Sequence, residues 1–464
     1  MIVITLILSQ VVEWELSFPN QWIPSLFARP PFILLSNILV FGGVRNLSPD
    51  QGYGFCTGVD TTNGIVLWDT EFRKTERSSI HTLTPDKNGF YAVGHCRVSP
   101  GSPWHILAMR IDETGEIMWW RVPLSPHEDF LPTSALADSW SNLVVVGIMD
   151  NAETSSYDIV LHSWDNMGNH RWSTFYNSPW NDQDTPWGAA MDEDGNTYVV
   201  GDYWRIKSGK EEIFKGELFG IQWENCIPSA GVLSPESCLA IYPITLKVDN
   251  AGHLIWVDNY EYWSNSGQFM FCEYVNGRLY VSGQEVTGAL YSECMDKYGQ
   301  QVWHYRNNDY FFSVGYGDAC TDQNGNLYLT GRKSSPDPGL FVLSLDPLGR
   351  LRFFKVAYPD AYGYSVAADN LGNVFLGGVV ENSTDATFLV MKMDTLGNIK
   401  WTYRKDGGSS DPAQQDQCYG LIPDNRGGVF AMGVIYDSAM TPVQYLVHLA
   451  DTTGGISEGA QSRP

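Results

Sequence analysis

Short runs of alternating apolar and polar side chains cover almost the whole chain, and turn residues punctuate them. A period of two with such punctuation predicts β-strands. One class of punctuation is a tight turn that follows a strand and precedes a more apolar one. It reads Thr84-Pro85-Asp86-Lys87-Asn88-Gly89, then Asp192-Glu193-Asp194-Gly195-Asn196, Asp322-Gln323-Asn324-Gly325-Asn326, Asp369-Asn370-Leu371-Gly372-Asn373 and Asp424-Asn425-Arg426-Gly427-Gly428. The strand that follows ends on glycine, as in Tyr198-Val199-Val200-Gly201, Tyr328-Leu329-Thr330-Gly331 and Phe375-Leu376-Gly377-Gly378. The next strand is typified by Phe388–Asp394.

A second turn class has the spacing D-x-x-G-x-x-x-W. Asp112, Gly115 and Trp119 show it, and it returns at Asp165…Trp172, Asp249…Trp256, Asp296…Trp303 and Asp394…Trp401. Asp346…Phe353 places Phe in the last position, and Asp60…Trp68 is one residue longer. Asp can bond the backbone ahead of it, and Gly takes the positive φ that closes the turn. The aromatic then falls on the next strand, where it buries a wide apolar surface. The aromatics recur every 47 to 53 residues, with one longer gap from Trp172 to Trp256.

A period of about 40–50 residues with four strands each predicts a β-propeller. The four strands are called A to D, from the channel outward. Strands of the B type recur eight times, near 38–43, 90–94, 143–147, 197–201, 278–283, 327–331, 374–378 and 429–433. The last repeat fades after its third strand, Tyr445–Ala450, while Val11–Phe18 has the character of the missing fourth. The expectation is therefore an all-β chain forming a single β-propeller over residues 11–455. It has eight four-stranded blades, with seven as the alternative, and the N-terminal strand closes the last blade. Residues 204–237 are a loop insertion in blade four, and 456–464 form a C-terminal tail.

The segments Ala319–Gly331 and Ala367–Gly377 resemble the bacterial and archaeal β-propeller repeat family. The D-x-x-G-x-x-x-W spacing is similar to the tryptophan-docking motif of quinoprotein-type eight-bladed propellers. The resemblance spans about residue 11 to 455. It implies fold and little of function, since such propellers include dehydrogenases, assembly scaffolds and surface proteins. The adjacent Cys-Cys pair of the quinone enzymes is absent here, and no other cofactor motif is present, so no cofactor is expected.

Acidic residues outnumber basic ones 53 to 29, giving a net charge of −24. Nucleic acids and anionic membranes need basic patches, which disfavours both as partners. No run approaches the ~18 apolar residues of a membrane span. Met1–Leu8 is apolar but short and lacks a basic start, a weak signal peptide. Two glycosylation sequons, Asn46-Leu47-Ser48 and Asn382-Ser383-Thr384, are read as surface loops. Of the eight cysteines, Cys226 and Cys238 bracket a Pro/Ser/Gly-rich segment at the end of the insertion and could staple it. Cys272 and Cys320 occupy similar places in successive repeats and could face each other. Together these cues place the protein outside the cytoplasm or in the secreted fraction.

The A–B and C–D turns are short, so the longer D–A and B–C connections are where binding is expected. These loops carry aromatics and carboxylates: Trp180, Asp182, Asp184 and Trp187; Tyr262 and Trp263; Asp309, Tyr310, Tyr316 and Asp318; Tyr362 and Tyr364. Counting back from each A–B Asp selects His81, Trp187, Tyr316, Tyr364 and Tyr419 as an aromatic mouth. Flat rings beside carboxylates suit sugars, which offer CH faces and hydroxyls. Alternatively, several of these Asp residues only fasten neighbouring blades together. Asp192–Asn196 resembles the start of a calcium loop but lacks the distant Glu. The reading is a binding or scaffold propeller that presents an aromatic and acidic loop face to a glycan or protein partner. The alternative is a carbohydrate-active enzyme, a lyase or hydrolase, with its site at the channel mouth.

Overall fold

The computed structural model describes residues 10–19, 21–22, 30–48, 51–123, 129–151, 156–179, 183–206, 239–260, 267–285, 289–307, 317–334, 337–381, 386–409 and 415–451. Every element among them is a β-strand, and the strands form eight antiparallel sheets, one per sequence repeat. The fold class is the eight-bladed β-propeller. Blade one adds the two-residue strand Gln21–Trp22 to its four. The expected B strands are all present, from Ile38–Ser48 to Val429–Tyr436. Asn46–Ser48 is the end of the first of these rather than a loop, which corrects the reading of that sequon.

The chain divides into two compact units. One holds Trp22–Gly58 and Leu67–Gly315; the other holds Met1–Gln21, Val59–Val66 and Tyr316–Pro464. In the first unit, strand A of blade two (Arg77–Asp86) packs against strand A of blade three (Phe130–Ala137). That strand packs on blade four's (Gln183–Met191), which packs on blade five's (Gly267–Val275). In the second unit the A strands Asp318–Thr321, Ala361–Ala368 and Gln417–Pro423 follow one another in the same way.

The last blade is Gln417–Pro423, Val429–Tyr436, Pro442–Asp451 and, as its fourth strand, Gln10–Pro19. The register runs from Gln10 opposite Asp451 to Pro19 opposite Val443. Glu15 accepts a hydrogen bond from the Tyr445 hydroxyl and pairs with Lys405. Glu13 lies 3.0 Å from His448 Nδ1, and Asp424 lies 2.9 Å from His448 Nε2.

The recurring aromatic of strand D holds neighbouring repeats together. Trp68 Nε1 donates to the Glu113 carbonyl, Trp119 Nε1 to Asn166 and Trp172 Nε1 to Asn250. Trp14 does the same to Thr61 from the N-terminal strand. Each indole lies flat on the turn glycine of the next repeat. A Cβ built at Gly115 would sit 2.6 Å from Trp68, and one at Gly252 would sit 2.7 Å from Trp172. The C–D glycines also carry positive φ, so two demands fix the residue type.

Cys56, Cys96, Cys272, Cys294, Cys320 and Cys418 are all buried. Neighbouring apolar side chains enclose two of them, Cys272 among Tyr198 and Leu279, and Cys320 among Tyr328 and Val342. Cys226 and Cys238 lie outside the described residues.

Candidate binding face

Among the described residues, strand A carries one extra residue in six of the blades. The register slips between Ile80 and Thr82, Pro132 and Ser134, Pro186 and Gly188, Phe269 and Phe271, Gly363 and Ser365, and Cys418 and Gly420. The bulged residues are His81, Thr133, Trp187, Met270, Tyr364 and Tyr419. Four of them are members of the aromatic mouth expected from sequence. A bulge bends its strand and re-aims a side chain. Here it also pushes a strand A carbonyl toward strand B.

The glycine that ends the apolar run of strand B accommodates that push. A Cβ at Gly94 would lie 1.7 Å from the Ser79 carbonyl oxygen, and one at Gly201 would lie 2.0 Å from that of Thr185. Gly283, Gly378 and Gly433 would each clash in the same way, at 1.9, 1.8 and 1.8 Å. Bulge and glycine are therefore one device. The residue after the glycine then stands beside the bulged side chain, as His95 stands by His81 and Asp202 by Trp187.

In the first unit, Trp187 Nε1 donates to Asp202 Oδ2, and Trp204 Nε1 donates to Oδ1 at 2.7 Å. Asp202 is fully buried. Burial pushes its carboxyl up to about 7, against the two indole bonds that favour the charged form. Asp184, also fully buried, accepts the Ser178 backbone amide at 2.7 Å. His81 packs on His95 with ring centroids 4.4 Å apart, and His95 packs on Trp104 at 4.2 Å.

In the second unit, Asp318 accepts the Ala319 and Val366 amides, at 2.9 and 3.0 Å, and faces the Ser365 hydroxyl. Asp416 accepts the amides of Gly407 and Tyr436. These carboxylates fasten strands, which is the structural alternative stated for them. Tyr362 and Tyr364 stack with centroids 6.3 Å apart and planes 16° from parallel, and both are half-buried. The Arg332 guanidinium lies 4.1 Å from the Tyr362 ring centre. It also stands 3.9 Å from the Glu381 carboxylate, whose other oxygen faces the Gln415 amide at 3.4 Å. Burial pushes the Tyr419 hydroxyl well above its ordinary value.

Trp180, Asp182, Tyr262, Trp263, Asp309, Tyr310 and Tyr316 lie outside the described residues, as does the insertion at 207–238. Arg332, Glu381, His95 and Asp202 escaped the sequence reading. Three of them could have been found, because Arg332, His95 and Asp202 each follow the strand B glycine directly. The Asp192 carboxylate is engaged by Asn196 and Tyr198 and lies 3.4 Å from Lys247, which is turn chemistry. Among the described residues, no three His, Cys, Asp or Glu side chains are grouped to hold a metal ion.

No family model matches the chain, and no curated protein does. Solved structures resemble it at low identity. An ulvan lyase, a polysaccharide lyase solved bound to -[GlcA(1-4)Rha3S]-, aligns over 94% of this chain and 95% of its own, with 10% identity and a TM-score of 0.47. Dipeptidyl peptidase 4 of Porphyromonas gingivalis aligns over 91% of this chain and 58% of its own, with 10% identity and a TM-score of 0.49. A eukaryotic initiation factor aligns over 96% and 99%, with 10% identity and a TM-score of 0.44.

Proposed function

We propose that the protein is a glycan-binding propeller and that Tyr362, Tyr364, Arg332 and Glu381 form a sugar-contacting surface. The observation that carries this reading is the stacked, half-exposed tyrosine pair with a guanidinium over one ring and a carboxylate beside it. Rigid aromatic faces meet the CH side of a pyranose, while the guanidinium and carboxylate meet its hydroxyls. The catalytic alternative is less well supported. Of the carboxylates that could react, Asp184 and Asp318 accept backbone amides, and Asp182, Glu261 and Asp309 lie outside the described residues.

The test is a glycan array followed by calorimetry on the best ligand. Tyr362→Ala is expected to weaken binding at least ten-fold while thermal stability changes little. No bound glycan, or affinity unchanged in that variant, would overturn the reading. Release of new reducing or unsaturated ends during the assay would favour the enzyme.

A further inference from the structure

We propose an oxoanion-binding site on blade two, formed by Arg77, Arg97, His81 and His95 and flanked by the Trp104 indole. This goes beyond the glycan surface above and does not depend on it. Four nitrogen-rich side chains converge where strand A (Arg77–Asp86) and strand B (Gly89–Arg97) meet the B–C connection. Arg77 stands directly opposite Arg97 across the two strands, and Ser79 stands opposite His95. Like charges directly opposed across a ladder are unfavourable on their own. Both guanidinium groups sit over Trp104, Arg97 at 4.5 Å from its ring centre and Arg77 at 5.9 Å.

The second observation is what these groups lack. His81 is 6% exposed, and its Nε2 has no hydrogen-bond partner. His95 Nδ1 and Arg97 Nε are likewise buried and unpartnered. Buried polar atoms are nearly always paired, so three orphans in one cluster mark the place of a missing acceptor.

The contrast with the rest of the chain strengthens the case. Arg45 pairs with Asp69 and Glu71, Arg110 with Asp86, and Arg306 with Glu285. Among the described residues, neither Arg77 nor Arg97 has a carboxylate partner, in a chain whose acidic residues number 53 against 29 basic. Asp129 accepts the Trp104 backbone amide. Burial holds His81 down at about 4 and His95 well below its ordinary value, the latter also through His81, Arg97 and Arg77. An anion would relieve that repulsion, accept from both guanidinium groups and meet the two neutral imidazoles through their N–H groups. The shared chemistry is that of a carboxylate, sulfate or phosphate group, whether on a saccharide or free in solution.

The test uses the full chain labelled at its nine histidines and followed by NMR. Sulfate, inorganic phosphate and a glucuronate oligosaccharide are titrated against chloride at constant ionic strength. His81→Gln and His95→Gln assign two signals. Both are expected to shift saturably with an oxoanion, with at least ten-fold weaker binding in Arg97→Gln and partial recovery in Arg97→Lys. If Arg97→Gln fails to fold, Arg77→Gln carries the same expectation. Saturation by glucuronate at lower concentration than by sulfate or phosphate assigns the anion to a saccharide; the reverse order assigns it to a free ion. No saturable shift with any probe, or a shift undiminished by the arginine variants, would overturn the site. Tyr362→Ala is expected to leave these shifts unchanged, so the two proposals fail separately.

Discussion

One inserted residue on strand A decides where a side chain is aimed, and one glycine on strand B makes the insertion possible. A methyl group at Gly201 would meet the Thr185 carbonyl oxygen at 2.0 Å, with backbone on both sides of the contact. Gly201→Ala is therefore expected to destabilise the protein by about 3 kcal/mol, read from urea denaturation. Asp202 beside it makes a pH prediction. Its folded value, raised to about 7, lies above the ~3.9 of an unfolded aspartate. The folded state therefore holds the proton more tightly, so this group contributes most to stability below about pH 4, and the contribution is lost as pH rises toward 7. Asp202→Asn should remove that decline from a plot of melting temperature against pH. Legibility at this scale was uneven. Counting back from the turn Asp found Trp187 and Tyr364, because the turn fixes the register of strand A. It missed His95, because sequence shows which residues share a strand but not which ones a bulge sets side by side, and Arg332, because it meets Tyr362 of the next blade.

At the scale of elements, the D-x-x-G-x-x-x-W repeat was legible because it answers to local chemistry. The Asp394 carboxylate shows this. Slight desolvation would raise it, but Asn398, Lys400 and the Leu396 amide bond the charged form and hold it far below its usual range. Asp112, Asp165, Asp249 and Asp346 are lowered in the same way. A lowered carboxylate stabilises above the unfolded value and loses that contribution as pH falls through the folded one. Stability is thus expected to drop below about pH 4, and Asp394→Asn should make the drop shallower in acid titrations followed by circular dichroism. The indole that crosses to the next repeat carries more. Trp119 is 9% exposed and sits over Gly168. Trp119→Ala should cost about 3–5 kcal/mol by chemical denaturation.

At the scale of the molecule, the blade count was legible because turns, glycines and aromatics recur from repeat to repeat. The long loops were not, since they lack that periodicity. The blade completed by Gln10–Pro19 yields the broadest prediction. Removing residues 1–19 exposes the edge of Pro442–Asp451 and removes the Trp14 indole that covers Gly64. An exposed strand edge is a template for pairing with other chains. The truncated protein is expected to self-associate on size exclusion with light scattering and to melt less cooperatively. The same pairing sets an order of events during synthesis. Gln10 leaves the ribosome well before its partner Asp451, which is made more than four hundred residues later. The first strand must stay unclaimed while seven blades assemble, so the final lock is also a checkpoint: a nascent chain cut short anywhere upstream of Pro442 has no partner for its own beginning.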